Sequence, residues 1–310
     1  IACAYAMQGK ADPLGTAAEV VAGYHADHPL TEPELGLLFP LICTRLTVSV
    51  INSAEQRASF PVEAYLTISE TEAWRTLERL ETVHPRLAEY TFRAAAGLEP
   101  CPRAPALRAW LAAHQGAMGP LLAVEGPVVA LDLSVGSPLI ESPEEPGDLA
   151  RFTRKLFERI ADAGARIGIG RYDEARLLYG GAVFQAEGND RETPRTAHIG
   201  LDLFVPAGTP VLAPLAGTVE SVRDNGMGGD YGPTMILRHE PEAGPVFHTL
   251  YGHLGREVLS ALRPGAPVER GQHIATIGDL NGNGGWPPHL HVQLIADLFD
   301  RDGEFPGVAR

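Results

Sequence analysis

The most informative part of the chain is a set of three short stretches: His198-Ile199-Gly200-Leu201-Asp202, Leu250-Tyr251-Gly252-His253-Leu254 and Pro288-His289-Leu290-His291-Val292-Gln293. They supply four histidines and one aspartate, each within sequence typical of β-strands. This set predicts one zinc site and leaves two imidazoles free to move protons. A zinc site with an open coordination position is typical of a hydrolase.

The spacing within these stretches places side chains on shared faces. His289 and His291 would project from one face of a strand, about 7 Å apart at the backbone, so that one can bind a metal while the other faces water or substrate. A lone His-x-His is equally compatible with two surface histidines on an edge strand. His198 and Asp202 would lie about 13 Å apart along a straight strand. We therefore expect the chain to bend between them, and Gly200 provides the freedom to do so.

The other candidate residues also have simpler interpretations. Asp202 is compatible with a turn or capping carboxylate, and His198 with a solvated loop histidine. Tyr251 and His253 share one face of a predicted strand, which is compatible with cross-strand packing and a half-exposed imidazole. The occurrence of all three stretches in this order, within one β-rich segment, favours the metal site.

The pattern of apolar residues divides the chain into three parts. Residues 1–116 are predicted to be helical, and Thr31-Glu32-Pro33-Glu34 is a capping-box pattern that opens a long apolar helix. Residues 117–180 are predicted to be a linker or mixed α-β segment with a strand at Val128–Leu133. From His198 onward, short apolar runs alternate with Pro and Gly turns, as in an all-β sandwich or barrel. We predict a multidomain α+β fold with domains at 1–116, 117–180 and 181–305.

Several segments between these parts are assigned a structure but no function. Ser142–Gly147 is an acidic, proline-rich linker, residues 148–163 form an amphipathic helix, and Gln185–Thr196 is a polar surface loop. Gly168-Ile169-Gly170 lacks the strand–helix context of a phosphate-binding loop.

Composition limits the class of partner. The formal net charge of −14 repels nucleic acid, anionic membranes and anionic cell-wall polymers. No uninterrupted apolar run approaches the roughly 20 residues that span a bilayer. Cys3, Cys43 and Cys101 have no paired spacing, so we expect buried thiols in a reducing compartment. We predict a cytoplasmic protein without nucleic-acid or membrane partners, whose natural N-terminus precedes Ile1.

The three stretches together resemble the lysostaphin-type (LytM-like) zinc metallopeptidases, whose signature is His-x-x-x-Asp, a Tyr-x-His-type strand and His-x-His. The resemblance covers about residues 181–298 and includes Pro206–Val211, Ala213–Val219 and Gly265–Ile277. It implies a mainly antiparallel β-sandwich, with a duplicated hybrid motif and a groove that crosses one sheet. It also implies one Zn²⁺ per chain bound by His198, Asp202 and His291, with His253 and His289 as the catalytic histidines.

This assignment is chemically consistent. Two neutral imidazoles and a carboxylate leave zinc with a net charge of +1 and a fourth position for water, whose pKa falls toward about 7. His289 is the better candidate for general base, and His253 would orient or protonate the reacting groups. Sequence alone leaves the division between them open. Trp286 departs from the family's usual small turn and would narrow access to the groove.

The N-terminal part shows a second resemblance, to the helical lobe of aminoglycoside-phosphotransferase-like kinases of the hydroxylysine or choline kinase type. Asp12-Pro13-Leu14, Val20–Tyr24 and Leu38–Ser53 carry it. The His-x-Asp catalytic loop of that family would lie upstream, so we expect no kinase activity. The arrangement resembles bacterial fusions of such a kinase, a lysostaphin-like domain and a class III aminotransferase, which implies adjoining kinase and aminotransferase domains.

Two main functional hypotheses follow. The first is a zinc-dependent metalloendopeptidase or amide hydrolase that uses a metal-bound water on a peptidoglycan-like peptide or small amide. The second is a non-catalytic metal-binding or scaffold module within the kinase–aminotransferase fusion. His253 and His289 favour the enzyme, because a structural site needs three or four ligands and not two additional imidazoles. A kinase fragment with a passenger domain is a third interpretation.

Overall fold

The computed structural model describes residues 1–59, 68–140, 148–179, 184, 195–226 and 228–301. Contacts divide these residues into a helical unit, Ile1–Pro105, and a second unit that contains the residues from Ala106 onward. The predicted linker Ser142–Gly147 lies outside the described residues, as does most of the predicted loop Gln185–Thr196. The domain boundaries inferred from the sequence remain predictions.

The N-terminal unit is helical, as predicted. Its helices are α1 (Ala2–Ala6), α2 (Pro13–Asp27), α3 (Glu32–Ser59), α4 (Ile68–Glu81) and α5 (Pro85–Ala95). One half of the predicted capping box is formed, because the Thr31 backbone N–H donates to Glu34 Oε2 at 2.8 Å. The Thr31 hydroxyl also donates to this oxygen, at 2.7 Å. Cys3, Cys43 and Cys101 are free thiols, of which Cys3 is buried and the other two are half-buried.

Helix α3 has the length and apolar composition of a membrane-spanning helix. Core helices of soluble proteins meet the same criterion, and one face of α3 is buried in the core of the unit through Leu35, Phe39, Ile42, Leu46 and Val50. Arg45 interrupts the apolar segment, which is why the sequence shows no continuous run of that length.

The second unit begins within α6 and is dominated by strands. Its elements are α6 (Ala104–Ala113), β1 (Val128–Leu131), α7 (Leu149–Asp162), β2 (Ile167–Gly170), β3 (Glu174–Ala175), β4 (Ala197–His198), β5 (Leu201–Phe204), β6 (Pro210–Leu212), β7 (Gly217–Asp224), β8 (Pro233–His239), β9 (Phe247–Gly252), α8 (Val258–Ala261), β10 (Pro267–Val268), β11 (His273–Thr276) and β12 (His289–Ile295).

The strands form one large sheet and two small ones. The large sheet has the order β1-β2-β5-β12-β9-β8-β7-β10, and its neighbours are antiparallel except for the parallel pair β1–β2. Strands β6 and β11 form a second sheet, and β3 and β4 a third. The predicted mainly antiparallel β domain is therefore confirmed, whereas the sandwich and the duplicated hybrid motif remain predictions. Gly168-Ile169-Gly170, to which the sequence assigned no function, lies in β2.

The two faces of the large sheet have different partners. One face packs Met235, Leu237, Tyr251 and Leu290 with residues of β6 and β11 in the main apolar core. On the opposite face, β12 and β5 pair so that His291 lies directly across from Asp202, and His289 across from Phe204. Because side chains alternate along a strand, the polar residues of the site collect on this second face.

Candidate metal centre

Three predicted ligands meet on the second face of the sheet. His291 Nδ1 lies 3.0 Å and His198 Nε2 3.2 Å from Asp202 Oδ1, and the two nitrogens are 3.1 Å apart. All three side chains are buried, and this set is the one whose donor atoms could hold a metal ion among the described residues. The structure thus brings together His198, Asp202 and His291, which belong to three different strands, β4, β5 and β12.

The predicted bend at Gly200 explains this convergence. Strand β4 ends at His198 and β5 starts at Leu201, so the two ligands do not lie on one straight strand. A Cβ atom at Gly200 would lie 2.3 Å from His291 Cε1, which is closer than non-bonded atoms approach. Glycine is therefore required here by the close approach of the ligand ring, and not only by the bend.

Hydrogen bonds to the far nitrogens orient both ligand imidazoles. His198 Nδ1 lies 2.8 Å from the Arg171 carbonyl oxygen, and His291 Nε2 lies 3.3 Å from Gln293 Oε1. Each far nitrogen faces an acceptor and so carries the proton in the neutral ring. The other nitrogen of each ring is then left with a lone pair that faces Asp202 Oδ1.

The donor set fits a zinc ion. Two ring lone pairs and a carboxylate oxygen within 3.2 Å of one another are all acceptors, and a cation between them satisfies all three. Ligand atoms about 2.0–2.2 Å from a tetrahedral zinc ion lie roughly 3.3–3.6 Å apart, so a small expansion of the triad accommodates the ion. Nitrogen and oxygen donors of this kind also suit zinc chemically.

The two remaining predicted histidines lie beside the triad. His253 Nδ1 donates to the Asn283 carbonyl oxygen at 2.8 Å, and His289 Nδ1 donates to the Pro287 carbonyl oxygen at 2.6 Å. The free Nε2 of His289 lies 3.6 Å from Asp202 Oδ1. The rings of His253 and His289 are 4.3 Å apart between centroids, so all five predicted residues belong to one cluster.

His253 and Tyr251 do not share a face, contrary to the sequence analysis. Strand β9 ends at Gly252, and His253 has a left-handed backbone with φ of 59°. This conformation, which is uncommon outside glycine, turns the imidazole toward the metal centre. Tyr251 lies in the apolar core on the other side of the sheet, where its hydroxyl pairs with Thr249 Oγ1 at 3.0 Å.

Burial and charge set the protonation of the cluster. Burial lowers the pKa of His289 to about 4 and lowers the pKa of His291. Burial, and then the proximity of His289, lowers the pKa of His253 well below its ordinary value. Burial opposes ionisation of Asp202, but attraction to His198 and Arg176 holds the pKa of that carboxyl well below its usual range. At neutral pH these three imidazoles are neutral and Asp202 is charged, which is the form that binds metal.

Sequence reasoning missed a buried ion-pair chain next to the metal centre. Arg176 Nη1 donates to Asp202 Oδ2 at 2.6 Å, and its Nε donates to Glu174 Oε2 at 2.9 Å. Glu174 Oε1 in turn accepts from Arg171. One sequence feature could have indicated these ion pairs. Glu174 and Arg176 have opposite charges and are two residues apart in an extended segment, where alternate residues share a face.

Aromatic side chains close the space above the cluster. The cavity here is lined by Tyr179, Tyr231 and Trp286 and by four of the five cluster residues, namely Asp202, His253, His289 and His291. Trp286 meets the rings of Tyr179 and Phe184 edge-on, with centroids 6.2 and 6.4 Å away. Trp286 lies at the cavity, and the narrowing of access to the groove remains a prediction.

Residues 196–300 match the family model of Peptidase family M23. This segment is an M23 peptidase domain. The lysostaphin-type resemblance is therefore confirmed for this segment, whereas the kinase resemblance of the N-terminal part and the fusion architecture remain predictions.

The curated relatives match about a third of this chain. An uncharacterized metalloprotease from Haemophilus influenzae is 38% identical over 97 residues, which cover 31% of this chain and 18% of that protein. Peptidoglycan DD-endopeptidase ShyC from Vibrio cholerae is 34% identical over 101 residues, which cover 33% and 21%. The chain thus spans about a fifth of the length of these relatives. The lysostaphin catalytic domain from Staphylococcus simulans is 26% identical, with 37% and 75% of the chains covered and a TM-score of 0.28.

The M23 domain contains the whole histidine and aspartate cluster, but not all of its surroundings. Arg176 and Tyr179 line the cavity and precede the matched segment, and Arg176 also donates to Asp202. Phe152 of α7 and Leu133 also line the cavity and precede it. The metal centre therefore combines residues of the M23 domain with a shell supplied by the preceding segment of the chain.

Proposed function

We propose that the chain is a zinc-dependent hydrolase of peptide or amide bonds, with His198, Asp202 and His291 as ligands and His253 and His289 as catalytic residues. This proposal rests on four imidazoles whose far nitrogens each face an acceptor oxygen. The other nitrogen of each ring is then available to bind a metal or accept a proton, and all four rings belong to one buried cluster. A structural zinc site would need no second pair of imidazoles.

When bound, zinc supplies a Lewis acid that polarises the scissile carbonyl and lowers the pKa of water. His289 Nε2, near Asp202 Oδ1, is placed to take the proton of the attacking water. Its Nδ1–H bond to the Pro287 carbonyl fixes the ring, so that Nε2 keeps a lone pair for this purpose. Protonated His289 would then return this proton to the leaving amine, while His253, whose Nδ1–H donates to the Asn283 carbonyl, would orient the attacking water with its Nε2 lone pair.

The relatives support peptides as substrates. Two of them, ShyC and ShyA from Vibrio cholerae, are named as peptidoglycan DD-endopeptidases. The net charge of −14 disfavours an anionic cell-wall polymer. We therefore propose a peptide or small amide of low charge, and not intact peptidoglycan, as the preferred substrate.

Metal content and hydrolysis test this proposal together. Elemental analysis of the purified chain, with no metal added, should find about one zinc per chain. The zinc-loaded chain should cleave members of a library of short peptides and N-acyl amides, followed by mass spectrometry, and His289→Ala should lose that activity. His273→Ala is the matched control, because His273 is an exposed histidine on β11. A chain that takes up no zinc at neutral pH would contradict the hydrolase and favour the scaffold module.

A further inference from the structure

Helix α7 lies on the same face of the sheet as the metal centre. Asp148 caps the helix by accepting from the Arg151 backbone N–H at 3.1 Å. Phe152, Leu156 and Ile160, spaced four residues apart, form its buried face and pack in one cluster with Phe204 of β5. The ring of Phe204 stacks on His289 with centroids 4.8 Å apart, so the helix and the metal centre share an immediate neighbour.

The connection around α7 explains why the helix lies so close to the site. Strands β1 and β2 pair in parallel, and α7 forms the crossover between them. A Cβ atom at Gly168 of β2 would lie 2.7 Å from Ile160 Cδ1, so glycine lets the helix sit directly on the strand. Strand β2 pairs in turn with β5, which carries Asp202.

Leu133 lies at the same end of the cavity as Phe152 of α7, and it is hydrogen-bonded to the buried ion pairs beside the metal centre. Its backbone N–H donates to Glu174 Oε1 at 3.1 Å, and Glu174 pairs with Arg176. Both Leu133 and Phe152 are buried and line the cavity. Arg176, the guanidinium at this end, is already paired with Asp202 and Glu174.

We propose that Leu133 and Phe152 form a closed, apolar end of the substrate site, so that the M23 domain accepts a short amide or the terminal bond of a peptide whose end is capped and uncharged. This inference rests on the proposed function. A substrate that lies across β5, β12 and β9 meets α7 at one end, and a long chain cannot continue past it. The substrate group that occupies this end is uncharged and apolar. A charged terminus would lose its hydration there without compensation, because the lining is apolar: Leu133, Phe152, Leu178 and Phe204.

Two phosphinate probes test the closed end without requiring turnover. The short probe is a phosphinic pseudo-dipeptide with apolar, uncharged caps, and the long probe carries three further residues on each side of the same phosphinate. Calorimetry on the zinc-loaded chain measures both dissociation constants. We expect the long probe to bind at least about tenfold more weakly than the short one.

Substitutions on α7 identify the cause of that difference. Phe152→Ala should bring the two dissociation constants within about threefold of each other. Leu156→Ala is the matched control, because Leu156 is equally buried on α7 but does not line the cavity. If Phe152→Ala fails to fold, Phe152→Leu replaces it, since leucine keeps an apolar contact and removes the ring.

The possible outcomes separate the closed end from the hydrolase. Equal binding of the two probes to the unaltered chain would overturn the closed end, as would equal relief by Leu156→Ala and Phe152→Ala. Failure of both probes to bind would also overturn it. The zinc content of the same sample then shows separately whether the metal centre, and with it the proposed function, still stands.

Discussion

Nη1 of Arg176 lies 2.6 Å from Oδ2 of Asp202, and both side chains are buried. The pair occupies one carboxylate oxygen and leaves Oδ1 to face His198 and His291. Arg176 thereby orients Asp202 as a ligand through a single oxygen. Glu174 balances the charge of Arg176, so the arginine does not oppose a metal cation by itself.

Replacement of Arg176 by methionine should destabilise the metal-free chain strongly. The substitution leaves Asp202 buried without its arginine and leaves Glu174 with Arg171 as its remaining partner. Loss of one partner of a buried pair costs about 3–5 kcal/mol. Zinc should restore part of this loss, because the ion compensates Asp202. Chemical denaturation with and without zinc measures both effects. Arg171→Met is the control, since Arg171 is half-exposed and its loss should cost within about 1 kcal/mol.

His291→Ala and His289→Ala should separate metal binding from catalysis. His291→Ala removes a ligand and should lose zinc. His289→Ala should keep zinc and lower kcat about 10²–10⁴-fold, because it removes the proposed general base. Elemental analysis and rate measurements on the same preparations provide the comparison. Full zinc in both variants would show that the ligand assignment is wrong.

The zinc-free chain should lose stability as the pH falls below about 6.5. The pKa of His289 is lowered to about 4 by burial, whereas in the unfolded chain it returns to its ordinary value. Between these values the unfolded state binds more protons than the folded state, so acid favours unfolding. Buried His239, whose pKa is also lowered, contributes in the same direction. Denaturation midpoints from pH 7.5 to about 4.5 should fall less steeply for His289→Gln.

Gly200→Ala should weaken zinc binding by at least about tenfold. The added methyl group would overlap the His291 ring, which must move away from Asp202. Gly136→Ala provides the control, because a Cβ at Gly136 meets no atom within 4 Å. Competition with a zinc-binding dye measures both affinities. Unchanged zinc affinity in Gly200→Ala would show that the ligand ring tolerates displacement.

The metal centre was predictable from sequence because its residues lie in short, local motifs. The lysostaphin-type resemblance assigned roles to His198, Asp202, His289 and His291, and strand spacing with a bend at Gly200 made their convergence possible. The structure brings these four side chains together. His253 was also assigned by the resemblance, but the face that strand spacing gave it, shared with Tyr251, is wrong. The alternation of side chains fails there, because the strand ends at Gly252 and the left-handed residue reverses the direction of its side chain.

The surroundings of the centre were not predictable in the same way. Arg176 and Phe152 reach the site through the pairing of β2 with β5 and through the crossover helix α7. Such contacts depend on which strands become neighbours in the sheet, and spacing within one segment carries no information about that choice. Gly168 marks the close packing of α7 on β2, yet in the sequence it resembled a glycine without a role.

Three of the four histidines are anchored by main-chain oxygens, those of Arg171, Asn283 and Pro287. Replacement of a side chain leaves a carbonyl oxygen in place, so these three anchors tolerate mutation at the positions that provide them. His291 differs, because its acceptor is the side-chain oxygen of Gln293. Position 293 is therefore the anchor that a single mutation can remove. Such a mutation takes away the oxygen that holds His291 Nε2 and alters none of the ligands.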